Sequence, residues 1–249
     1  MFISQLAYAQ VDVDAPATVL HDREHVTHIG FQTNGWGFGS DWYLKGKDAY
    51  TFWKLGADVQ FMRHEKEVKT PSQDLWGRSY YYGKLNSFFV FRPGFGQNHE
   101  FAEKLRKSGV QLSYFWMLGP DIGFLKPVYL RIYYNSTMPG RDDIIQDERY
   151  DPIKHGPHNI AGRSSSLMGL YESQIKLGLF FKGGLRLEYS NQDNAMKGME
   201  IGLSVDVFPS RIEIMAEEIK DNNGNQVKNH FLFMAPYVKF FFGSKYDRK

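Results

Sequence analysis

From Gln174 to Ser190 the chain alternates for 17 residues. The odd positions carry Ile175, Leu177, Leu179, Phe181, Gly183, Leu185, Leu187 and Tyr189. The even positions carry Gln174, Lys176, Gly178, Phe180, Lys182, Gly184, Arg186, Glu188 and Ser190. A period of two is the signature of a strand with one apolar and one polar face. A strand of an ordinary soluble sheet runs about 5–6 residues. A tilted strand needs about 9–11 to cross a hydrocarbon layer, so a run this long predicts a strand built to span one.

Other stretches repeat the pattern. In Thr51–His64, Trp53, Leu55, Ala57, Val59 and Phe61 share one face, and Lys54, Asp58, Gln60 and His64 the other. In Tyr82–Gly96, Leu85, Phe89, Phe91 and Phe95 oppose Lys84, Asn86 and Arg92. Val110–Leu118 and Met199–Val207 alternate likewise, the second setting Glu200 and Asp206 against Met199, Ile201, Leu203 and Val205. Segments 27–44, 127–135 and 230–243 are aromatic and strand-like but less regular, with bends or bulges expected at Gly35, Gly37 and Gly39. Together these predict about eight strands, eight to ten at most. Turns are expected at Gly119-Pro120-Asp121 and 191–194, and longer loops at 66–78, 97–108, 136–166 and 209–229.

Which face meets lipid follows from charge. A Lys or Arg on the lipid face costs about 2–4 kcal/mol at the membrane midplane, so the charged faces should line the interior. The expectation is an all-β, single antiparallel transmembrane barrel. Its lumen should hold a charge network of Lys54, Asp58, Lys84, Arg92, Lys176, Lys182, Arg186, Glu188, Glu200 and Asp206, joined by Lys239. An eight-stranded barrel is just wide enough for its own side chains, and buried charges must pair. Arg92, Lys182 and Arg186 are expected to find partners among Glu188, Glu200 and Asp206. The competing interpretations are a soluble ligand-binding barrel of lipocalin type, which would reverse the two faces, and a small-solute channel.

Composition narrows the class. The aromatic fraction is 16%, with 15 Tyr, 20 Phe and 5 Trp, as membrane interfaces and large β-structures both require. The Tyr80–Tyr82, Tyr133–Tyr134 and Trp36/Trp42 clusters are expected in the interfacial girdle. The net charge of +2, without a basic block, gives no nucleic-acid partner. Mean hydropathy is that of a soluble protein, but a barrel with a polar interior has the same average. The absence of cysteine excludes disulfides and thiolate metal sites and suits an oxidising compartment. Ala7-Tyr8-Ala9, after Phe2, Ile3 and Leu6, has the small-x-small form of an export cleavage site. Residues 1–9 are therefore expected to be the remnant of an export signal, and residues 10–249 the barrel domain.

The residue types that could carry chemistry gather in one loop. His155-x-x-His158 follows Asp142, Asp143, Asp147, Glu148 and Asp151, and Ser164–Ser166 come next. The spacing matches neither a helix-borne zinc motif nor a calcium loop, so no metal and no cofactor is expected. A Ser and a His could make a lipid acyl hydrolase only with a third group to orient the base. No catalytic residue is assigned, and a lipid-modifying enzyme stands as the alternative.

The stretches YGKLNSFFVFRPGFG (82–96), GVQLSYFWMLGPDIGFLKPVYL (109–130) and HNIAGRSS (158–165), with a basic tail after the last aromatic strand, resemble a family of small outer-membrane β-barrel proteins of Gram-negative bacteria. The resemblance spans most of residues 27–245. It implies a barrel in the cell outer membrane and brings no catalytic residues. The expected partners are outer-membrane lipid and other outer-membrane or periplasmic proteins. One departure is that Phe242 is followed by seven further residues, where many such barrels end on an aromatic.

Overall fold

A computed structural model describes residues 23–48, 50–72, 77–102, 110–134, 144–190, 195–217, 226 and 228–246. The suggested export remnant at 1–9, the turn at 191–194 and the acidic pair Asp142 and Asp143 lie outside the described residues.

Thirteen strands follow in order: β1 (Arg23–Gln32), β2 (Gly35–Lys45), β3 (Thr51–Met62), β4 (Lys69–Thr70), β5 (Tyr80–Tyr81), β6 (Asn86–Ala102), β7 (Gln111–Pro127), β8 (Tyr129–Tyr134), β9 (Ile144–Arg149), β10 (Ile160–Arg163), β11 (Gln174–Glu188), β12 (Ala195–Val207) and β13 (Leu232–Tyr246). Eight close into an antiparallel barrel in the order β1-β13-β12-β11-β7-β6-β3-β2. Closure leaves no strand edge unpaired. The positions paired around the wall from Arg23 are Leu44, Trp53, Gln97, Trp116, Gly183, Leu203 and Pro236. The circuit returns at Thr33, whose N–H donates to Pro236 O at 3.4 Å, ten residues along β1 from its start at Arg23. A stagger of this size tilts the strands by about 40° and leaves an interior that side chains can fill.

Both described ends of the chain, Arg23 and Tyr246, pair at one rim of the barrel. The opposite rim carries the long connections. β1 has 10 residues and β6 and β7 have 17 each. At the usual rise and tilt these reach about 25 Å and about 43 Å. The wall is therefore low at the β1–β2 hairpin, closed by Thr33 and Asn34, and high at β6–β7–β11. Gly35 follows that turn at φ 153°, and a Cβ there would collide with Phe61 O, so the hairpin requires glycine.

Above the high wall sits a cap. β10, β8 and β9 form a three-stranded sheet over Tyr80, Leu130, Ile132, Tyr150 and Ile160. Residues 208–216 fold back over the barrel mouth. Phe208, Ile212, Ile214 and Met215 pack there on Met62, Phe88, Val90, Leu125 and Phe233. Asn229, itself buried, binds this segment by accepting from Ile214 N–H and Met215 N–H (3.1 Å each) and donating to Met215 O at 2.8 Å.

Several expectations need correction. Gly119-Pro120-Asp121 is not a turn but the middle of β7, outlasting its apparent breakers because β11 pairs with all three residues and holds the register there. Segment 127–135 belongs to the cap rather than the wall, and segment 27–44 holds two wall strands. The two errors cancel in the count of eight. β6 continues to Ala102, through what reads as the start of a loop. β13 continues beyond Phe242 to Tyr246, because Lys245 turns inward onto Glu24 and Glu188. Tyr80 and Tyr82 serve the cap's core, and Tyr133 and Tyr134 lie on β8. Trp36 and Trp42 do face outward.

Candidate functional site

The wall is inside out relative to a soluble barrel. On β11, Ile175, Leu177, Leu179, Phe181 and Leu185 are half or more exposed, while Lys182, Arg186 and Glu188 are buried. β12 exposes Ile201, Leu203 and Val207 and buries Glu200, Ser204 and Asp206. The outer surface is uneven in kind. β2, β3, β6 and β7 carry aromatic rings in contact, Trp36–Phe61–Phe89–Phe124 in one tier and Trp53–Phe95–Trp116 in another. The outward faces of β11 and β12 are aliphatic apart from Phe181.

The lumen is filled in layers. Nearest the cap, Arg92 is fully buried with Asp206 at 2.7 Å and Asp121 at 3.3 Å. The approach is off the N–H axes, leaving the guanidinium nitrogens without an aligned hydrogen bond, so the attraction is coulombic. Next, Lys182 pairs with Asp58. Below them four charges alternate in a ring. Asp41 lies 3.2 Å from Lys54 and 3.0 Å from Lys239, and Glu200 lies 3.3 Å and 2.8 Å from the same two lysines. The Tyr237 hydroxyl donates to Glu200 at 2.8 Å, and His28 stands 3.6 Å from Asp41. Toward the rim of the termini, Arg186 lies 3.6 Å from Glu24, and Lys245 3.6 Å from Glu24 and 3.2 Å from Glu188. The Arg186 guanidinium is held between Tyr43 (4.3 Å) and Phe241 (4.5 Å). These rings belong to an apolar layer of Val26, Tyr43, Phe52, Met196 and Phe241.

Four of these pairs cross the lumen. Arg92 on β6 reaches Asp206 on β12, Lys182 on β11 reaches Asp58 on β3, Lys54 on β3 reaches Glu200 on β12, and Arg186 on β11 reaches Glu24 on β1. None of those strands are wall neighbours, so the pairs act as cross-braces. A cavity among them, bounded by His28, Asp58, Gln60, Lys182, Tyr237 and Lys239, has about 20 Å³, room for a single water.

The structure thus brings together Lys54, Asp58, Arg92, Lys182, Arg186, Glu188, Glu200 and Asp206. Two of the expected residues lie elsewhere. Lys84 precedes β6 and sits under the cap, 2.7 Å from Glu67; burial there pulls its ammonium below the usual lysine range, and Glu67 opposes the shift. Lys176 faces inward at the staggered top of β11, above the last paired residue of β12, where it is half-buried and forms no ion pair with the described residues. The partners also differ from expectation. Only Arg92 takes its anticipated Asp206, because braces run across the lumen rather than along the wall. Glu24, His28, Asp41, Asp121 and Lys245 complete the network and escape the sequence reading. Asp121 is hidden in an apparent turn, Asp41 lies where Gly37 and Gly39 blur the period, and Glu24 precedes the segment 27–44 that reads as strand-like.

The loop residues that suggested chemistry do not converge. His155 is buried, 3.3 Å from Glu148, and its Nδ1 accepts from Asp151 N–H. The Ser164 hydroxyl contacts Met168 Sδ at 3.4 Å and not either histidine. No group of three or more metal-ligating side chains occurs among the described residues. A different Ser–His pair lies on the outer wall, where His25 Nε2 is 2.8 Å from Ser40 Oγ. The Ser40 hydroxyl donates to Val26 O at 3.0 Å, so the imidazole is the donor to Ser40 rather than a base activating it.

No protein-family model matches the chain, and no curated protein matches it in sequence. Among solved structures it is similar to Neisserial surface protein A, at 10% identity and TM-score 0.40 over 90% of this chain and 96% of that one. It is also similar to the N-terminal β-barrel domain of Pseudomonas aeruginosa OprF, at 9% identity and TM-score 0.36 over 89% and 98%. A third is Ail, the attachment invasion locus protein of Yersinia pestis, at 11% identity and TM-score 0.33 over 90% and 95%. No residue role is carried over from these proteins.

Proposed function

We propose that the protein is an integral outer-membrane barrel with a closed, side-chain-filled lumen, serving a non-enzymatic structural or accessory role in an envelope complex. The observation that carries this reading is the pairing of a cross-braced charged interior with an uncovered apolar exterior. In water that exterior would be an apolar surface far larger than soluble monomers expose. In lipid it is the required surface, and the tilted β1–β2 hairpin, at about 25 Å, matches the apolar band of such barrels.

The test is fractionation followed by single-channel recording. The protein should sediment with the outer membrane, resist extraction by salt and carbonate, and require detergent. In a planar bilayer it should give no steady conductance. Recovery from the soluble fraction would refute the membrane placement, and a stable open channel would refute the closed lumen. The second reading, an acyl hydrolase, would need the His25–Ser40 hydrogen bond to reverse, since the imidazole here donates to Ser40. Release of fatty acid from phospholipid or lipopolysaccharide by purified protein, lost in Ser40→Ala, would establish it against the proposal.

A further inference from the structure

A cavity of about 610 Å³ lies at the low rim of the wall, between the β1–β2 turn, the end of β3 and the start of β13. That is within the range of small-molecule sites. Its lining has two characters. Phe31, Trp36 and Met234 belong to the outward apolar face and are 53%, 37% and 59% exposed. Arg63, Glu65 and His230 belong to the loop side, beyond the strand ends. A molecule filling this space would have one end on the lipid-facing wall and the other at the wet rim, which describes an amphiphile.

The polar end selects among headgroups. Arg63 and Glu65 bring opposite charges to it, so the lining is not a purely cationic cradle for phosphate. Gln32 and Asn34 also line the cavity, and Gln32 Nε2 with both Asn34 Nδ2 and Oδ1 are buried without a hydrogen-bond partner. Two of these atoms donate and one accepts. A phosphate or carboxylate, acceptor-only when ionised, can answer the donors but not Oδ1, whereas hydroxyls both donate and accept. The exposed ring of His230 adds a flat face for the C–H side of a sugar. His230 is itself stacked on His64 at 5.6 Å, and His64 is fixed through Lys66 N–H and Lys228 O.

We propose that this cavity binds the sugar headgroup of a glycolipid, with the acyl chains lying along Phe31, Trp36 and Met234. The proposal rests on the wall facing lipid. The test uses the full chain in phosphatidylcholine nanodiscs, titrated with rough lipopolysaccharide, with phosphatidylglycerol, and with the same sugar core freed of acyl chains. The readout is tryptophan emission, with Trp36→Phe to assign the signal. Lipopolysaccharide should shift the emission saturably. Phosphatidylglycerol and the free core should each bind at least about tenfold more weakly, a difference of about 1.4 kcal/mol. Asn34→Ala combined with Glu65→Ala should weaken lipopolysaccharide by a similar factor, and Leu179→Ala on the far wall should not. Equal binding of phosphatidylglycerol would show that charge or acyl chains alone are recognised and would overturn the sugar assignment. Equal binding of the free core would overturn the role of the lipid-facing lip. Unchanged binding by the double variant would overturn the site. A chain that never enters nanodiscs would defeat the membrane reading itself, whereas one that enters but shows no preference would defeat only the glycolipid site.

Discussion

The barrel wall and the cap above it distribute the same residue types in opposite directions. In the wall, leucines and aromatic rings point out while Lys, Arg, Asp and Glu point in. In the cap, Leu130, Ile132 and Ile160 are buried and Gln146, Asp147 and Lys154 are exposed, although Ile144 and Ile145 on β9 are exposed as well. Both regions are made of strands with a period of two, and β8 alternates as regularly as β12. The difference lies in the solvent each meets. Apolar groups leave water wherever water is present, so the level at which the apolar face changes sides marks where lipid ends. That level lies near the Thr33–Asn34 turn on the low side and below the β7–β8 junction on the high side.

The comparison can be broken most strongly from inside the wall. Arg92→Ala would leave Asp121 and Asp206 buried without their cation, and losing one member of such a group costs about 3–5 kcal/mol. Unfolding in detergent, followed by the gel shift of heat-modifiable barrels, should move to much lower urea. Replacing both members of a brace, Lys182→Met with Asp58→Leu, should move it far less. The same test on the outside is Ile201→Arg, near the middle of β12, which should destabilise the protein in bilayers by about 2–4 kcal/mol, against about 0–1 for Val207→Arg at the strand end. If the two arginines behave alike, β12 does not cross a hydrocarbon layer.

In the plug, Asn229→Ala removes the acceptor for two backbone N–H groups and the donor to one carbonyl. An unsatisfied buried group costs about 1–3 kcal/mol. The expected result is protease cleavage within 208–217 while the barrel itself stays folded. The smallest effect concerns Glu217, whose carboxylate accepts from Asn229 N–H at 3.1 Å; that bond holds its pKa below the usual value. A lowered folded-state pKa adds stability that is fully present above the ordinary carboxylate pKa and is lost as pH falls through the lowered one. Plug cleavage should therefore rise slightly on acidification, and Glu217→Gln should remove that dependence.

How much of this was legible follows from the same contrast. β11 and β3 could be read directly, because 12 to 15 residues of alternation fit little else, and β12 from the nine of Met199–Val207. Seven interior charges followed from them, and Arg92 from the alternation of Tyr82–Gly96. Asp121 and Asp41 could not be read, because glycine and proline, which break strands in isolation, are tolerated where paired neighbours hold the backbone. β8 was misassigned to the wall for a deeper reason. Alternation fixes that a strand has two faces and not which face meets lipid. Length decides that, and β8 has only six residues. Nothing local in the sequence reveals the cavity at the low rim, because residues from 31 to 234 come together there only when the stagger closes the barrel.

The most direct test of the lipid-facing wall uses the absence of native cysteine. Single cysteines placed in turn from Met199 to Val207 in the full-length protein, spin-labelled and reconstituted in lipid, can be compared for collision with oxygen, which concentrates in lipid, and with a nickel chelate, which stays in water. Oxygen access should peak at Met199, Ile201, Leu203, Val205 and Val207. It should fall at Glu200, Gly202, Ser204 and Asp206, with the nickel chelate excluded from both sets near the centre of the strand. The opposite phase, or nickel access along the whole strand, would contradict a barrel that turns its apolar face to the membrane.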